Sequence, residues 1–429
     1  VIILLLCYFL QAYRRTYCAP FWDDMSAVLE WLPGYFNANH SIDKLRLLWS
    51  NYWECKTPVS RMVSLFFIKL SGARFLILQK YFNGLLLVLL SWLMAIQLDD
   101  KAKRSFTFLL CLLLFLNFQH FHTALCAFSG TTYYLCLIFG LLAFYFRQRK
   151  NKSGLALSLL FAVMSAVTFG NGLLVLPLIC LHNFTEKEFK SSILTVVLTS
   201  IVAWFYFNGY HPQRLSDISH FSWIGCIEYF ILFMGNHGQF LYSKVVVVIF
   251  GVFPLVVAGY FIFIKKQFYK TPVLLSILIF MIMTALMASG FRHQISVNQG
   301  LSVRYGFYSL TAFVSSVLLI INELDYELIK KQQTKILHAA AVFTAIKLFF
   351  FYPEMAIGQE ETREMLSDWK KHGDIVADHT PFYIKGATVI MGNCEKIKVW
   401  QLFPGDTAVA NNNLFTIQYI NEHNRWRKP

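Results

Sequence analysis

SKVVVVIFGVFPLVVAGYFIFI, residues 243–264, decides the fold. Its only charged residue, Lys244, stands at the edge, and Lys265 and Lys266 follow at once. At ~1.5 Å of rise per residue, such a run covers the ~30 Å of hydrocarbon in a bilayer. Only a helix satisfies every backbone group of a single segment in that solvent, so the stretch reads as a membrane-spanning helix.

Working outward, apolar runs of the same kind recur near residues 75–98, 105–121, 131–146, 154–170, 173–182, 191–208, 272–289, 305–322 and 336–351. The opening run, Val1 to Tyr13, is short for a span and the chain begins on Val1, so the expectation is a first helix whose start is missing. The run at 173–182 is also too short to cross alone. With Phe169-Gly170-Asn171-Gly172 before it and Pro177 inside it, it reads as a broken or re-entrant helix. The count is therefore nine to eleven. A composition of 56% hydrophobic and 14% charged residues leaves few positions for independent soluble domains, and the fold class is an all-α polytopic membrane protein.

Two domains follow. Residues 1–351 form the membrane domain, with a long outer loop at 14–58. Residues 352–429 begin at Pro353 and read as a small α+β domain, with a helix over Glu360 to Lys371 and β-rich runs over Phe382 to Met391, Lys396 to Phe403 and Phe415 to Ile420.

The net charge of +14 is not a nucleic-acid signal, because residues 1–351 hold 29 Lys and Arg against 14 acids while 352–429 hold nine against ten. Most of the excess sits in five short loops: Lys101, Lys103 and Arg104; Arg147, Arg149, Lys150 and Lys152; Lys187 and Lys190; Lys265, Lys266 and Lys270; Lys330, Lys331 and Lys335. Short basic loops stay in the cytoplasm, which puts the amino end inside and the carboxyl end, with Asp23 and Asp24, on the other side.

Phe21-Trp22-Asp23-Asp24 closes the first apolar run and opens a polar segment of more than forty residues. Adjacent acids beside a bilayer can position a hydroxyl and take its proton, or form a solvated turn; both readings stand. Glu54 reads as a second acid or as a partner for Lys56. Arg61, Arg292 and Arg304 read as phosphate ligands or as interfacial anchors, since a guanidinium forks onto phosphate and also snorkels to headgroups. His237, in Met234-Gly235-Asn236-His237-Gly238, is either a loop histidine bonded to backbone or a group that meets a sugar. Trp22, Trp49 and Trp53 suit sugar faces and equally suit an interfacial belt. The sequence has no Walker loop, no GxGxxG, and no metal-ligand spacing among its nine cysteines. Cys18 and Cys55, both in the outer loop, are either a pair or two thiols. Outward-facing acids without a nucleotide site call for a donor already attached to lipid, such as a polyprenyl-phosphate sugar.

Phe21-Trp22-Asp23-Asp24, followed by Leu48-Trp49-Ser50-Asn51-Tyr52-Trp53-Glu54-Cys55-Lys56 and Arg61, resembles the first outer loop of multi-spanning GT-C-type glycosyltransferases. Some bacterial members carry Asn-Glu-His-Arg in the second segment; Glu54 and Arg61 fit that pattern, whereas Cys55 and Lys56 depart from it. Phe169-Gly170-Asn171-Gly172 and Arg304-Tyr305 also resemble that group, and the overall plan is similar to the O-antigen glucosyltransferases of serotype-converting phages. The resemblance implies a protein of the bacterial inner membrane that moves glucose from undecaprenyl phosphate to a lipid-linked polysaccharide on the periplasmic side, without a clear need for metal or other cofactor. It implies Asp24, Asp23 and Glu54 as the acids, Arg61, Arg304, Arg292 and Lys56 around the donor phosphate, and Trp22, Trp53 and His237 at the sugars. A donor synthase and a donor flippase would be its partners. The rival expectations are a flippase for lipid-linked oligosaccharide, a polysaccharide polymerase and an acyltransferase.

Overall fold

A computed structural model describes residues 24–52, 55–116, 126–209, 221–241, 243–267 and 272–347. The expected domain at 352–429 and the opening run lie outside the described residues. Among the described residues, six helices are long and apolar enough to cross a membrane: 75–95, 127–147, 189–207, 244–264, 273–292 and 303–323. Two shorter apolar helices cover Lys152–Ala166 and Gly170–Thr185. The protein is an all-α polytopic membrane protein.

The polar segment that follows Asp24 is ordered as a π-turn, Met25–Leu29, then α1 (Leu32–Asn37), α2 (Ser41–Trp49), and a minimal hairpin of β1 (Asn51–Tyr52) with β2 (Cys55–Lys56). Pro58, pre-set for a helix start, opens α3 (Pro58–Ser71). The bundle continues with α4 (Phe75–Ala95), α5 (Lys101–Phe115), α6 (Ala127–Arg147) and α7 (Lys152–Ala166). Side-chain caps fix three of these starts: Asp100 accepts from Ala102 N, Cys126 from Ser129 N and Asn151 from Gly154 N.

Helix α6 is the axis of the fold, with 83% of its apolar window buried. A polar seam joins it to α3 and α4. Gln79 Nε2 donates to Thr131 Oγ1 at 2.9 Å, Thr131 Oγ1 to Asn83 Oδ1 at 2.7 Å, and Thr132 Oγ1 to Ser60 Oγ at 2.9 Å. Inside a bilayer, where burying apolar surface does not drive helix association, such bonds fix which faces meet.

The broken helix expected at 169–182 is present as a discontinuity. Helix α7 ends at Ala166, a 3-10 turn covers Gly170–Leu174, and α8 (Val175–Thr185) resumes. A Cβ on Gly172 would lie 2.1 Å from Ser165 O, so the turn folds tightly on the end of α7 and admits only glycine. Helix α9 (Phe189–Phe207) is peripheral, with 17% of its window buried. The sequence reading had no element at α10 (Trp223–Gly235), an apolar helix capped by Ser222. It crosses α11 (Lys244–Gly259) at a glycine contact, where a Cβ on Gly235 would meet Val247 O at 1.8 Å. Helices α12 (Val273–Arg292), α13 (Gly306–Glu323) and α14 (326–347) complete the described chain.

Contacts gather the basic loops at one end. Lys103 Nζ donates to the carbonyls of Asn322 and Leu324, and Lys265 pairs with Glu323 at 2.5 Å. Arg147 pairs with Glu186 and Glu188, while Phe144, one turn earlier, shares a cleft with Ser276 at the start of α12. The starts of α6 and α13, the end of α12 and the hairpin lie at the opposite end.

Candidate functional site

Asp24 is fully buried at that opposite end. Its Oδ1 accepts from Phe128 N at 2.8 Å and from the Cys126 thiol at 3.2 Å, and Oδ2 accepts from Ala127 N at 3.2 Å. The carboxylate therefore sits on the N-terminus of α6, where unpaired N–H groups and the helix dipole favour negative charge. Asp23, Trp22, Trp53 and Glu54 lie outside the described residues.

Arg61 and Lys56 fasten the outer segment to the bundle. Arg61 is 2% exposed; its Nη1 donates to Leu47 O at 2.7 Å, to Ser50 O at 2.8 Å and to the Ser50 hydroxyl at 2.8 Å, joining the Ser50 N–H and hydroxyl that also bond Leu47 O at the end of α2. Its guanidinium also stacks over Trp31 at 5.1 Å. Burial pushes Arg61 down to about 10, with Glu30 and Tyr52 acting the other way, so it remains cationic at neutral pH. Lys56 does the same for α9, donating to Asn208 O at 2.8 Å and Phe205 O at 3.4 Å, while its backbone N–H donates to the Tyr206 hydroxyl at 3.0 Å. Both cations neutralise helix C-termini, the arrangement that the helix dipole favours.

Arg292 and Arg304, twelve positions apart, converge on Tyr305. Arg292 Nη1 donates to the phenol oxygen, and the guanidinium carbons lie 5.8 Å (Arg292) and 5.0 Å (Arg304) from the ring centre. Asn236 holds the loop that carries Arg304, donating to Gly300 O at 2.9 Å and Ser302 O at 2.8 Å. Behind Tyr305 runs an aromatic layer. Phe233 lies 4.8 Å from Tyr305 and 6.2 Å from Tyr308, Tyr308 is 5.3 Å from Tyr133, and Tyr133 is 5.0 Å from Phe169. It leads back to the hairpin, because a Cβ on Gly170 would stand 3.0 Å from Cys55 Sγ.

His237 is buried in protein. Ser309 Oγ donates to Met234 O at 2.6 Å, so the hydrogen-bond network assigns the proton to His237 Nδ1, which lies 2.7 Å from the same oxygen. Its ring packs 4.7 Å from both Phe250 and Phe313. Of the expected site residues, the fold thus brings Arg292 and Arg304 together on Tyr305, sets Asp24 at the same end of the bundle, and gives Asp24, Arg61, Lys56 and His237 partners within the protein.

Sequence reasoning missed Cys126, Tyr133, Tyr229 and Tyr308. Tyr229 lies within electrostatic reach of Tyr305, Arg292 and Arg304. The signal that could have found α10, and Tyr229 with it, is the Ser222 cap three residues before Gly225. Among the described residues no cluster of three or more His, Cys, Asp or Glu is placed to hold a metal ion.

Architecture and polar seams define a multi-pass α-helical membrane protein with an acid and two arginines at the end opposite its basic loops. No protein-family model, curated protein or solved structure matches the chain.

Proposed function

We propose that the protein is a GT-C-like membrane glycosyltransferase with nine to eleven spanning or re-entrant helices. It sits in the bacterial inner membrane with its basic loops in the cytoplasm and its site, with residues 352–429, in the periplasm. It moves a sugar, glucose by preference, from undecaprenyl phosphate to lipid-linked O-antigen or a similar polysaccharide. The observation that carries this is the convergence of Arg292 and Arg304 on Tyr305, at the end of the bundle where Asp24 is held.

The chemistry asks for little else. An acceptor hydroxyl attacks the anomeric carbon, the bond from that carbon to the phosphate oxygen breaks with inversion, and the hydroxyl proton passes to a carboxylate. In this reading Asp24 is that carboxylate, and Asp23 and Glu54 orient the acceptor. Two guanidinium groups suit the departing phosphate because each keeps its charge when partly desolvated. No metal is required by this scheme.

The test incubates the purified full chain in vesicles with labelled glucosyl undecaprenyl phosphate and lipid-linked O-antigen. Label appearing on the polysaccharide supports transfer. Label that crosses the bilayer and stays on its own lipid contradicts it and supports a flippase, the reading that the buried Lys347 and His237 would favour.

A further inference from the structure

Arg292 closes α12, and Arg304 stands in the 3-10 turn Val303–Tyr305 that leads into α13. Both arginines are half-buried, whereas Tyr305 is 6% exposed. The tyrosine is fixed from two directions. Its ring packs 4.8 Å from Phe233 on α10, and Asn236 ties down the loop before it through Gly300 O and Ser302 O.

The two guanidinium groups use that fixed ring differently. Arg304 lies over it, 5.0 Å from the centre, while Arg292 lies 5.8 Å from the centre and also donates from Nη1 to the phenol oxygen. A guanidinium carries five N–H groups in one rigid plane, so a bond to one of them sets where the others point. The face of an aromatic ring attracts cations and so offsets part of the repulsion between two of them brought close together. Phe291 and Ile295, on either side of Arg292, are 65% and 48% exposed, so apolar surface adjoins the pair and suits a phosphate carried on a lipid.

We propose that Tyr305 is a positioning residue for a lipid-phosphate site: its hydroxyl orients the fork of Arg292 and its ring seats both guanidinium groups, so that one phosphate meets two arginines. This role rests on the reading of Arg292 and Arg304 as ligands of the donor phosphate. Tyr305 acts through the arginines and makes no contact with the phosphate itself.

Binding of undecaprenyl phosphate to the purified full chain in phosphatidylcholine nanodiscs, with undecaprenol as the uncharged control, tests the role without turnover. Wild type should bind the phosphate about tenfold or more tightly than the alcohol. Tyr305→Phe, which keeps the ring against Phe233, should weaken phosphate binding about fivefold and leave the thermal melt unchanged. Arg292→Gln should weaken it about tenfold, and adding Tyr305→Phe should then change the affinity by no more than about twofold, because the hydroxyl acts through Arg292. Wild-type affinity in Tyr305→Phe, or a loss that adds in full to that of Arg292→Gln, would overturn the proposal. So would displacement of undecaprenyl phosphate by inorganic phosphate at equal concentration, which would make the pair a site for a soluble anion. Equal binding of phosphate and alcohol by wild type would remove this role and the donor-phosphate reading together. The expected binding pattern without any sugar transfer would remove only the glycosyltransferase reading and keep Tyr305 as the positioning residue of a lipid-phosphate site.

Discussion

Arg61 and Asp24 look alike in their promise as site residues, and the structure buries both against helix ends, Asp24 at the start of α6. Arg61 closes the end of α2, with Leu47 O and Ser50 O both within 2.8 Å. Replacing it with Met removes the guanidinium donor from Ser50 O and Leu47 O, the latter still bonded by Ser50 N and Oγ, and removes the stack on Trp31, so Arg61→Met should lower stability by about 1–3 kcal/mol in a chemical melt. Arg61→Lys should recover only part of it, because one ammonium cannot reproduce the stack on Trp31 together with the carbonyl contacts. At Arg292 and Arg304 the expectation is the reverse: substitution by Gln should leave the melt within about 1 kcal/mol and raise the KM for a lipid-phosphate donor by about tenfold or more, increasingly so at low salt. Asp24 was legible in the sequence as a carboxylate worth attention. Its partners were not, because Cys126, Ala127 and Phe128 lie more than a hundred positions away and only the packing of α6 brings them there.

Among the elements, the break between α7 and α8 was readable because Gly170, Asn171, Gly172 and Pro177 punctuate an apolar run. The reason for the break is tertiary. Gly172 packs against the Ser165 carbonyl, and Asn171 Nδ2 reaches across to Thr284 Oγ1 at 3.3 Å. Gly172→Ala should therefore disrupt folding, with monodisperse yield reduced severalfold in size-exclusion chromatography, whereas Gly259→Ala, where an added Cβ meets nothing within 4 Å, should be neutral or gain a few tenths to about 1 kcal/mol. Helix α10, whose one local signal is the Ser222 cap, was hard to read for a physical reason as well. Thirteen residues are too few to span, so a hydropathy threshold passes over them, and the helix is held by contacts that no local pattern records: the Gly235 crossing with α11 and the 3.1 Å bond from Ser222 N to His293 Nε2.

For the molecule as a whole, the clustering of charge was the most readable property, and the contacts of Lys103, Arg147 and Lys265 gather the loops that carry it at one end. Sidedness follows as an expectation that can be checked: in a background whose reactive thiols are replaced, Lys152→Cys should react with an impermeant maleimide only from the cytoplasmic face and Asn208→Cys only from the other. Labelling of both from the same face would contradict the arrangement of α9 as a crossing helix. The central claim concerns Asp24, and one measurement addresses it most directly: the rate of label transfer from glucosyl undecaprenyl phosphate to lipid-linked O-antigen by wild type and by Asp24→Asn, with a melt of each. Asn keeps one acceptor oxygen for Phe128 N and the Cys126 thiol but turns its NH2 toward Ala127 N, so the melt should fall by about 1–3 kcal/mol while transfer by the folded protein falls by about 10²-fold or more. Transfer that persists at the wild-type rate in the folded Asp24→Asn protein would contradict the account and leave Asp24 as a helix cap alone.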